Sequence, residues 1–310
     1  MSVTINAHVF RVPPVKLLRL DRHSSVHIQI ISRISRLSLA SSAFRFTAAT
    51  STNFPKSRRD SMTSTSAAML LPENPVLSDI CASAVSALVA FSGLRLWEET
   101  AKRDLFDRKL NRKLVHISIG LLFMLCWPLY SSGTRGAILA SLTPGINIIR
   151  MILVGSGIWK DEATVKSMSR YGDRRELLKG PLYYAATITV ANLIYWRTSP
   201  IAIAAICNLC AGDGFADIVG RQLGREKLPY NPNKSIAGSI AMATAGFLAS
   251  LGFMYYFASF GFIQYNWEMV FGFLVVSLAS AIVESLPIST KLDDNLTVTL
   301  TSILVGSLVF

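Results

Sequence analysis

Two aspartates, Asp213 and Asp217, end an apolar run, and a glycine-rich basic stretch closing on Lys234 and Ser235 follows them. Carboxylates four residues apart on a helix lie about 6 Å apart along its axis, close enough to share one divalent cation. Gly220 and Gly224 continue the spacing, which puts all four positions on one helical stripe. Glycine at such places lets a phosphate chain or a second backbone come close. Lys234, Ser235, Gly238 and Ser239 open the next apolar run, where the unpaired N–H groups and positive dipole end of a helix suit phosphate oxygens. These types and spacings predict metal-assisted phosphate chemistry. Asp213 and Asp217 would hold Mg²⁺, one of them also able to take a hydroxyl proton, while Lys234 brings a point charge and the serines hydrogen bonds. Plainer readings stand beside these. The aspartates could be solvated helix caps, although two acids on one face beside hydrocarbon are costly. Gly220-x-x-x-Gly224 is equally a small-residue contact between helices, and a snorkelling lysine with a serine N-cap would account for Lys234-Ser235 alone.

Other polar groups interrupt apolar surroundings. Arg112, Lys113 and His116 begin an apolar run, with Arg112 and His116 on one face. The two cations could be an exposed flank, whereas His116 lies deeper, where a polar side chain is either functional or hydrogen-bonded between helices. Asp173-Arg174-Arg175-Glu176 and Lys179 form a charged segment that is either a solvated face or, through Arg174, Arg175 and Lys179, a clamp for a triphosphate. Glu284 ends another apolar run, just ahead of Asp293-Asp294-Asn295. Asp294 or Asn295 reads most simply as a helix cap, but an unpaired Glu284 in hydrocarbon would be expensive. Arg150 is its candidate intramembrane partner, unless it snorkels. Cys207-x-x-Cys210 has no second such pair, and His116 is the only histidine beyond the leader, so small hydrophobes in a helix are the better reading than a redox or metal site. There is no G-x-x-x-x-G-K-[ST] loop, nor the H-R-D and D-F-G set of a protein kinase.

The elements that must position these groups are membrane helices. The 310 residues are 51% hydrophobic and only 16% charged. Apolar runs near 76–96, 114–130, 136–158, 181–196, 199–219, 236–257, 270–286 and 296–310 predict an all-α polytopic bundle of about 7–8 transmembrane helices, several close to the ~20 residues a span needs. The last is short, and Pro144, Gly145 and Asn147 mark the third for a kink or a break. The net charge of +12 is concentrated in residues 1–68, which hold ten Lys or Arg, two acids and thirteen serines. That composition predicts a chloroplast transit peptide, with a membrane domain at 69–310, and removes the case for nucleic-acid binding. Of the 21 later basic residues, 17 fall in the odd-numbered loops, which the positive-inside rule would put in the stroma. Nearly every candidate site residue is on that side. Clustering at one interface favours an enzyme over a transporter, whose polar groups gather near the midplane.

The motifs Arg112-Lys-Leu-Val-His116, Glu176-Leu-Leu-Lys-Gly-Pro181, Gly212-Asp-Gly-x-Ala-Asp217-x-x-Gly-Arg-x-x-Gly224, Leu228-Pro-Tyr-Asn-x-x-Lys-Ser235 with Ala237-Gly-Ser239, and Val283-Glu-Ser-Leu-Pro287 with Asp293-Asp-Asn-Leu296 together resemble the plant phytol/farnesol kinase family. That family is grouped with the CTP-using polyprenol kinases, including dolichol kinase. The resemblance spans roughly Val76 to Phe310. It implies CTP as phosphate donor, a divalent cation, and an isoprenoid alcohol as acceptor: farnesol, with geraniol, geranylgeraniol and phytol as neighbours. In that reading Asp213 and Asp217 hold Mg²⁺, Lys234 and the Ser235–Ser239 turn cradle phosphates, and Gly220 and Gly224 allow close approach. Arg112, Lys113, His116, Arg174 and Lys179 serve the nucleotide, and Glu284 or Asp293 orients the hydroxyl or a second metal. A phytol kinase of tocopherol synthesis, a CTP-dependent cytidylyltransferase and a membrane transporter are the competing functions.

Overall fold

A computed structural model describes residues 74–288 and 292–310; the predicted leader 1–68, the start of the membrane domain at 69, and Lys291 lie outside the described residues. Helix α1 (Pro75–Lys102) starts on an Asn74 cap with proline in its first turn. Asp107 caps α2 (Arg108–Leu125), accepting from the Leu110 N–H at 3.0 Å, and a short 3₁₀ turn at Trp127–Leu129 extends it. Helix α3 (Thr134–Ser156) runs unbroken through Pro144 and stops at Gly157, whose φ of 84° needs glycine. A short α4 (Glu162–Met168) and a 3₁₀ turn at Arg174–Leu178 lead into α5 (Gly180–Tyr195). Ser199 and Pro200 open α6 (Pro200–Cys207), which continues through a π-helical turn at Asn208–Gly212 into α7 (Asp213–Gln222). A small antiparallel hairpin follows, β1 (Lys227–Leu228) with β2 (Asn231–Ser235). Helices α8 (Ile236–Ser259), α9 (Trp267–Ser285) and α10 (Asp294–Val309) complete the chain.

Among the described residues six stretches are long and apolar enough to cross a membrane: α1, α2 with its 3₁₀ extension, α3, α6 to α7, α8 and α9. Helices α5 and α10 have 16 residues each. The protein is an all-α polytopic membrane bundle, as the apolar runs predict. The α6–α7 rod is its centre: 78% of its apolar window is buried, against 17–44% for the other five. Its packing partners are α8, α10, α9, α5 and α2.

Contacts tie the helix ends into two opposite groups. At one end, Asp79 near the start of α1 accepts from the Ser131 N–H at 2.7 Å and from Arg135 at 2.9 Å. Nearby, Trp127 stacks on Phe257, centroids 5.6 Å apart. Arg197 donates to the Trp127 carbonyl at 2.7 Å and to the Tyr130 carbonyl, with its guanidinium 3.7 Å over the Phe262 ring. Burial pulls the Arg197 pKa down to about 10, opposed by the charge of Asp79, so it stays a cation at neutral pH.

At the other end, Arg150 of α3 binds Glu98 of α1 at 2.7 Å and Asp161, the cap of α4, at 2.8 Å. The expected pairing of Arg150 with Glu284 is therefore corrected. Glu98 is 1% exposed and would be intolerable unpaired, and α1 and α4 pack together where the cation of α3 can reach both acids.

Candidate active site

The second end of the bundle also gathers the polar residues singled out by sequence. Their arrangement begins with the π turn. There the Asp213 N–H reaches back five residues to the Asn208 carbonyl, one more than in an α-helix. Small residues make room for it: an added Cβ at Gly246 of α8 would strike the Asn208 side chain. The Leu209 carbonyl accepts from His116 Nε2 at 2.7 Å, and Asp213, starting the regular helix beyond, faces α2.

Asp213 Oδ2 receives Lys113 Nζ at 2.6 Å and His116 Nε2 at 3.2 Å. All three residues are buried. Since His116 Nε2 faces a carbonyl and a carboxylate, the proton is assigned to that nitrogen. Lys113 and His116 sit one turn apart on α2, so a single helix face supplies both donors. The tilted Tyr184 ring, 4.4 Å from His116, holds the imidazole in place, and its hydroxyl donates to the His116 carbonyl at 2.6 Å.

A second charged group approaches from α9 and α10. Lys234 Nζ contacts Glu284 and lies 3.1 Å from Asp294 Oδ2. Burial works against the Lys234 ammonium, but Asp294 and Glu284 outweigh it and hold its pKa above the ordinary lysine value. The hairpin carries Lys234 there. Asn231 Nδ2 donates to the Ser285 carbonyl at 2.9 Å and the Tyr230 hydroxyl meets Ser285 Oγ at 2.9 Å, fastening β2 to the end of α9. Asp213, Glu284 and Asp294 each bring one carboxylate oxygen within 4.8 Å of the others. Three hard oxygen ligands so spaced fit a magnesium-sized cation, and Asp294 Oδ1 is buried with no hydrogen-bond partner.

The carboxylates form the floor of a cavity of about 990 Å³, whose lining includes Arg170, Lys179, Arg221 and Lys227 as well as Lys113 and Lys234. A volume of that size accommodates a nucleotide, and a cationic wall above an acidic floor suits a polyphosphate held through a metal ion.

Gly220, Gly224, Ser235, Gly238 and Asp293 line this cavity as expected, and several of these residues also have structural partners. Asp217 lies on the cavity wall, paired with Arg221 at 2.8 Å, and Asp294 stands in the carboxylate group where Asp217 was expected. Asp293 caps α10, accepting from the Asn295 N–H at 3.0 Å. Ser235 caps α8, accepting from the Gly238 N–H at 3.2 Å. Helix α7 ends at Gln222, so Gly224 is not on the predicted stripe. A Cβ on Gly220 would sit 3.2 Å from Ser235 Oγ, and one on Gly238 would sit 3.3 Å from the Gly220 Cα. Gly220 and Gly238 let α7 and α8 touch, so the small-residue contact expected of Gly220 and Gly224 is made by Gly220 with Gly238 instead. Ser239 lines the cavity with its Oγ buried and unpartnered. Lys179 is on the cavity wall, whereas Arg174 lines a separate surface hollow with Arg108, Lys160 and Lys166. Arg112 lines a small cavity beside the large one. Arg170, Asp294 and the hairpin are the parts that sequence reasoning missed; only Asp294 had a local signal, in its Asp-Asp-Asn motif.

Known proteins resemble this arrangement's sequence closely. The chain is 72% identical over 240 residues to a Glycine max protein named "Probable phytol kinase 3, chloroplastic", covering 77% of this chain and 75% of that protein. It is 65% identical over 262 residues to "Farnesol kinase, chloroplastic" of Arabidopsis thaliana, 84% of each. A third relative, "Probable phytol kinase 2, chloroplastic" of Oryza sativa subsp. japonica, is 68% identical over 247 residues, 79% of this chain and 81% of that protein. No family model and no solved structure matches the chain. On these identities, the chain belongs to the plant family of chloroplastic phytol and farnesol kinases.

Proposed function

We propose that this protein is a chloroplast membrane kinase that moves the γ-phosphoryl group of CTP to the terminal hydroxyl of an isoprenoid alcohol, farnesol foremost, giving the prenyl monophosphate and CDP. The names of its relatives support an alcohol acceptor and a chloroplast location, and the long apolar helices support a membrane setting. The observation that carries the reading is the group of three carboxylates, Asp213, Glu284 and Asp294, on the floor of a cation-walled cavity recessed in a membrane bundle. Farnesol as first acceptor and CTP as donor rest on the family resemblance.

Phosphoryl transfer of this kind has a loose transition state, so positioning and charge neutralisation dominate. Asp213, Glu284 and Asp294 would hold Mg²⁺, which when bound supplies charge neutralisation to the phosphate chain. Lys113 and His116 hold Asp213 in place through its Oδ2. Lys234, held between Glu284 and Asp294, provides a cation beside the transferring group. Arg170, Lys179 and Lys227 on the wall attract the outlying phosphates. The charge pattern of the loops supports a nucleotide site that opens to the stroma.

The test is purified full-length protein assayed with farnesol, geranylgeraniol and phytol, each against CTP, ATP, UTP and GTP. Prenyl monophosphate and CDP are expected, with CTP and farnesol the best pair. Pyrophosphate release from labelled CTP would replace the reading with a cytidylyltransferase, and transfer to no prenol would end it.

A further inference from the structure

A second large cavity, about 630 Å³, lies between α1, α2, α3 and α5 and is mostly apolar, lined by residues such as Ala87, Phe91, Ile119, Phe123 and Ile188, with Arg95, Arg150 and Asp161 also on its lining. Leu88, Phe91, Ile146 and Ile149, on α1 and α3, are 49–65% exposed where it opens sideways. A surface like this in a membrane helix faces lipid, so the opening gives entry from the bilayer. A smaller hollow adjoins this cavity. Leu94, Ile119, Asn147 and Tyr184 are shared with a throat of about 40 Å³ whose far wall includes Arg112, His116 and Asn295. That volume admits a hydroxyl-sized group. His116 is bound to Asp213, and Asn295 adjoins Asp294 and donates to the Gly180 carbonyl at 3.1 Å. The throat therefore ends one side chain away from the carboxylate group.

Three buried polar atoms along this throat lack a hydrogen-bond partner: Arg112 Nε, Asn147 Oδ1 and Asn295 Oδ1. Unpaired buried polar groups are uncommon and ask for an explanation. One donor and two acceptors match what an alcohol needs, since a hydroxyl both gives and takes a hydrogen bond. Resting on the kinase reading above, we propose that the cavity between α1, α2, α3 and α5 is the isoprenoid-chain site, and that Asn147 and Arg112 position the alcohol's hydroxyl in the throat that leads to the carboxylates. The chain lies along α1 and α3, its head group passes Asn147, and the length of the cavity sets which prenols fit.

The experiment uses full-length protein in detergent and a diazirine-bearing farnesol analogue, with labelled peptides mapped by mass spectrometry. Labelling of α1 and α3 that farnesol competes away is expected, and it should be lost in Ala87→Trp, which fills the cavity. Asn147→Leu should raise KM for farnesol about tenfold, the loss of one hydrogen bond, with KM for the nucleotide unchanged and partial recovery in Asn147→Gln. A merely structural role would move both constants together. Labelling of other helices in a protein that still phosphorylates prenols overturns the cavity and leaves the kinase reading standing. Competition by phosphatidylglycerol as effective as that by farnesol marks an ordinary lipid groove and also overturns it. If the wild-type protein phosphorylates no prenol, the kinase reading fails, whatever is labelled.

Discussion

At the scale of single residues, Lys113 and Asp213 constrain each other. Both are nearly inaccessible and their contact is 2.6 Å, so removing either charge alone leaves the other buried with less compensation. Breaking such a pair costs about 3–5 kcal/mol. Lys113→Met should lower thermal stability in detergent by that order and abolish transfer. Adding Asp213→Asn to it should recover most of the stability and none of the activity, because the buried charge is gone while the proposed metal ligand is still missing. Equal destabilisation in single and double variants would count against the pair. A second comparison separates the two candidate ligands. Asp294→Asn should lower kcat by about 10²-fold or more, as losing one transition-state charge contact does. Asp217→Asn, which breaks only a half-exposed pair with Arg221, should stay within a few fold. If Asp217→Asn is the more damaging, the sequence spacing was the better guide to the metal. That spacing identified Asp213, Lys113, His116, Glu284 and Lys234 as chemically loaded. It could not show who meets whom, since Lys113 and Asp213 are 100 residues apart and Lys234 and Glu284 are 50 apart. Carboxylates four apart share a face on a helix, but Asp217 has Arg221 one turn on, and the cheaper local pair takes it.

At the scale of elements, two departures from regular helix do the positioning. The π turn at Asn208–Gly212 adds a residue to the central rod and so sets the angle at which Asp213 leaves it. The hairpin at 227–235 folds a cation back over the end of α9. Apolar periodicity is blind to both: an extra residue within a helix leaves the composition unchanged, and strands of two and five residues carry no repeat. At Pro144 the helix does not break: α3 is continuous from Thr134 to Ser156. The α1–α3–α4 corner offers a pH test. Partial burial alone would raise the Asp161 pKa, but the Arg150 guanidinium with the Thr164 N–H and hydroxyl outweighs it and holds the carboxyl below its ordinary value. A depressed folded-state pKa contributes stability that is complete above the unfolded value, about 3.9, and lost as pH falls through the folded one. Asp161→Asn should therefore melt below wild type by a constant margin from pH 8 to about 5, narrowing only beneath about 4. Narrowing already between pH 7 and 6 would mean that another group carries the corner.

At the scale of the whole molecule, the bundle sorts its chemistry by end. Helices α1, α3, α7 and α9 finish where α2, α5, α8 and α10 begin; Lys113–Asp213 and Lys234 with Glu284 and Asp294 join the ends of α2, α7, α9 and α10, Arg150–Glu98 joins α1 to α3, and Asn295 joins α10 to α5. The opposite end is closed by Arg197, Trp127 and the Asp79–Arg135 pair, with no carboxylate cluster there among the described residues. This was the most legible part of the chain, because hydrophobic span length and loop charge are whole-segment properties that survive errors of several residues at each boundary. Helices α5 and α10 are too short to count as spans alone, yet their registration with the others follows from Asn295 bonding Gly180. Each segment crossing once makes a definite forecast. Single cysteines replacing exposed Arg103, Tyr171 or Lys227 should all react with an impermeant maleimide from one side of sealed vesicles. Those replacing exposed Ser132 or Tyr265 should react only from the other. Reaction of Lys227→Cys together with Tyr265→Cys from one side would break the alternation, and with it the placement of every site residue at a single face. Because the nucleotide is water-soluble and the cavity opens beside Lys227, bound CTP should slow the labelling of Lys227→Cys and leave Ser132→Cys unaffected.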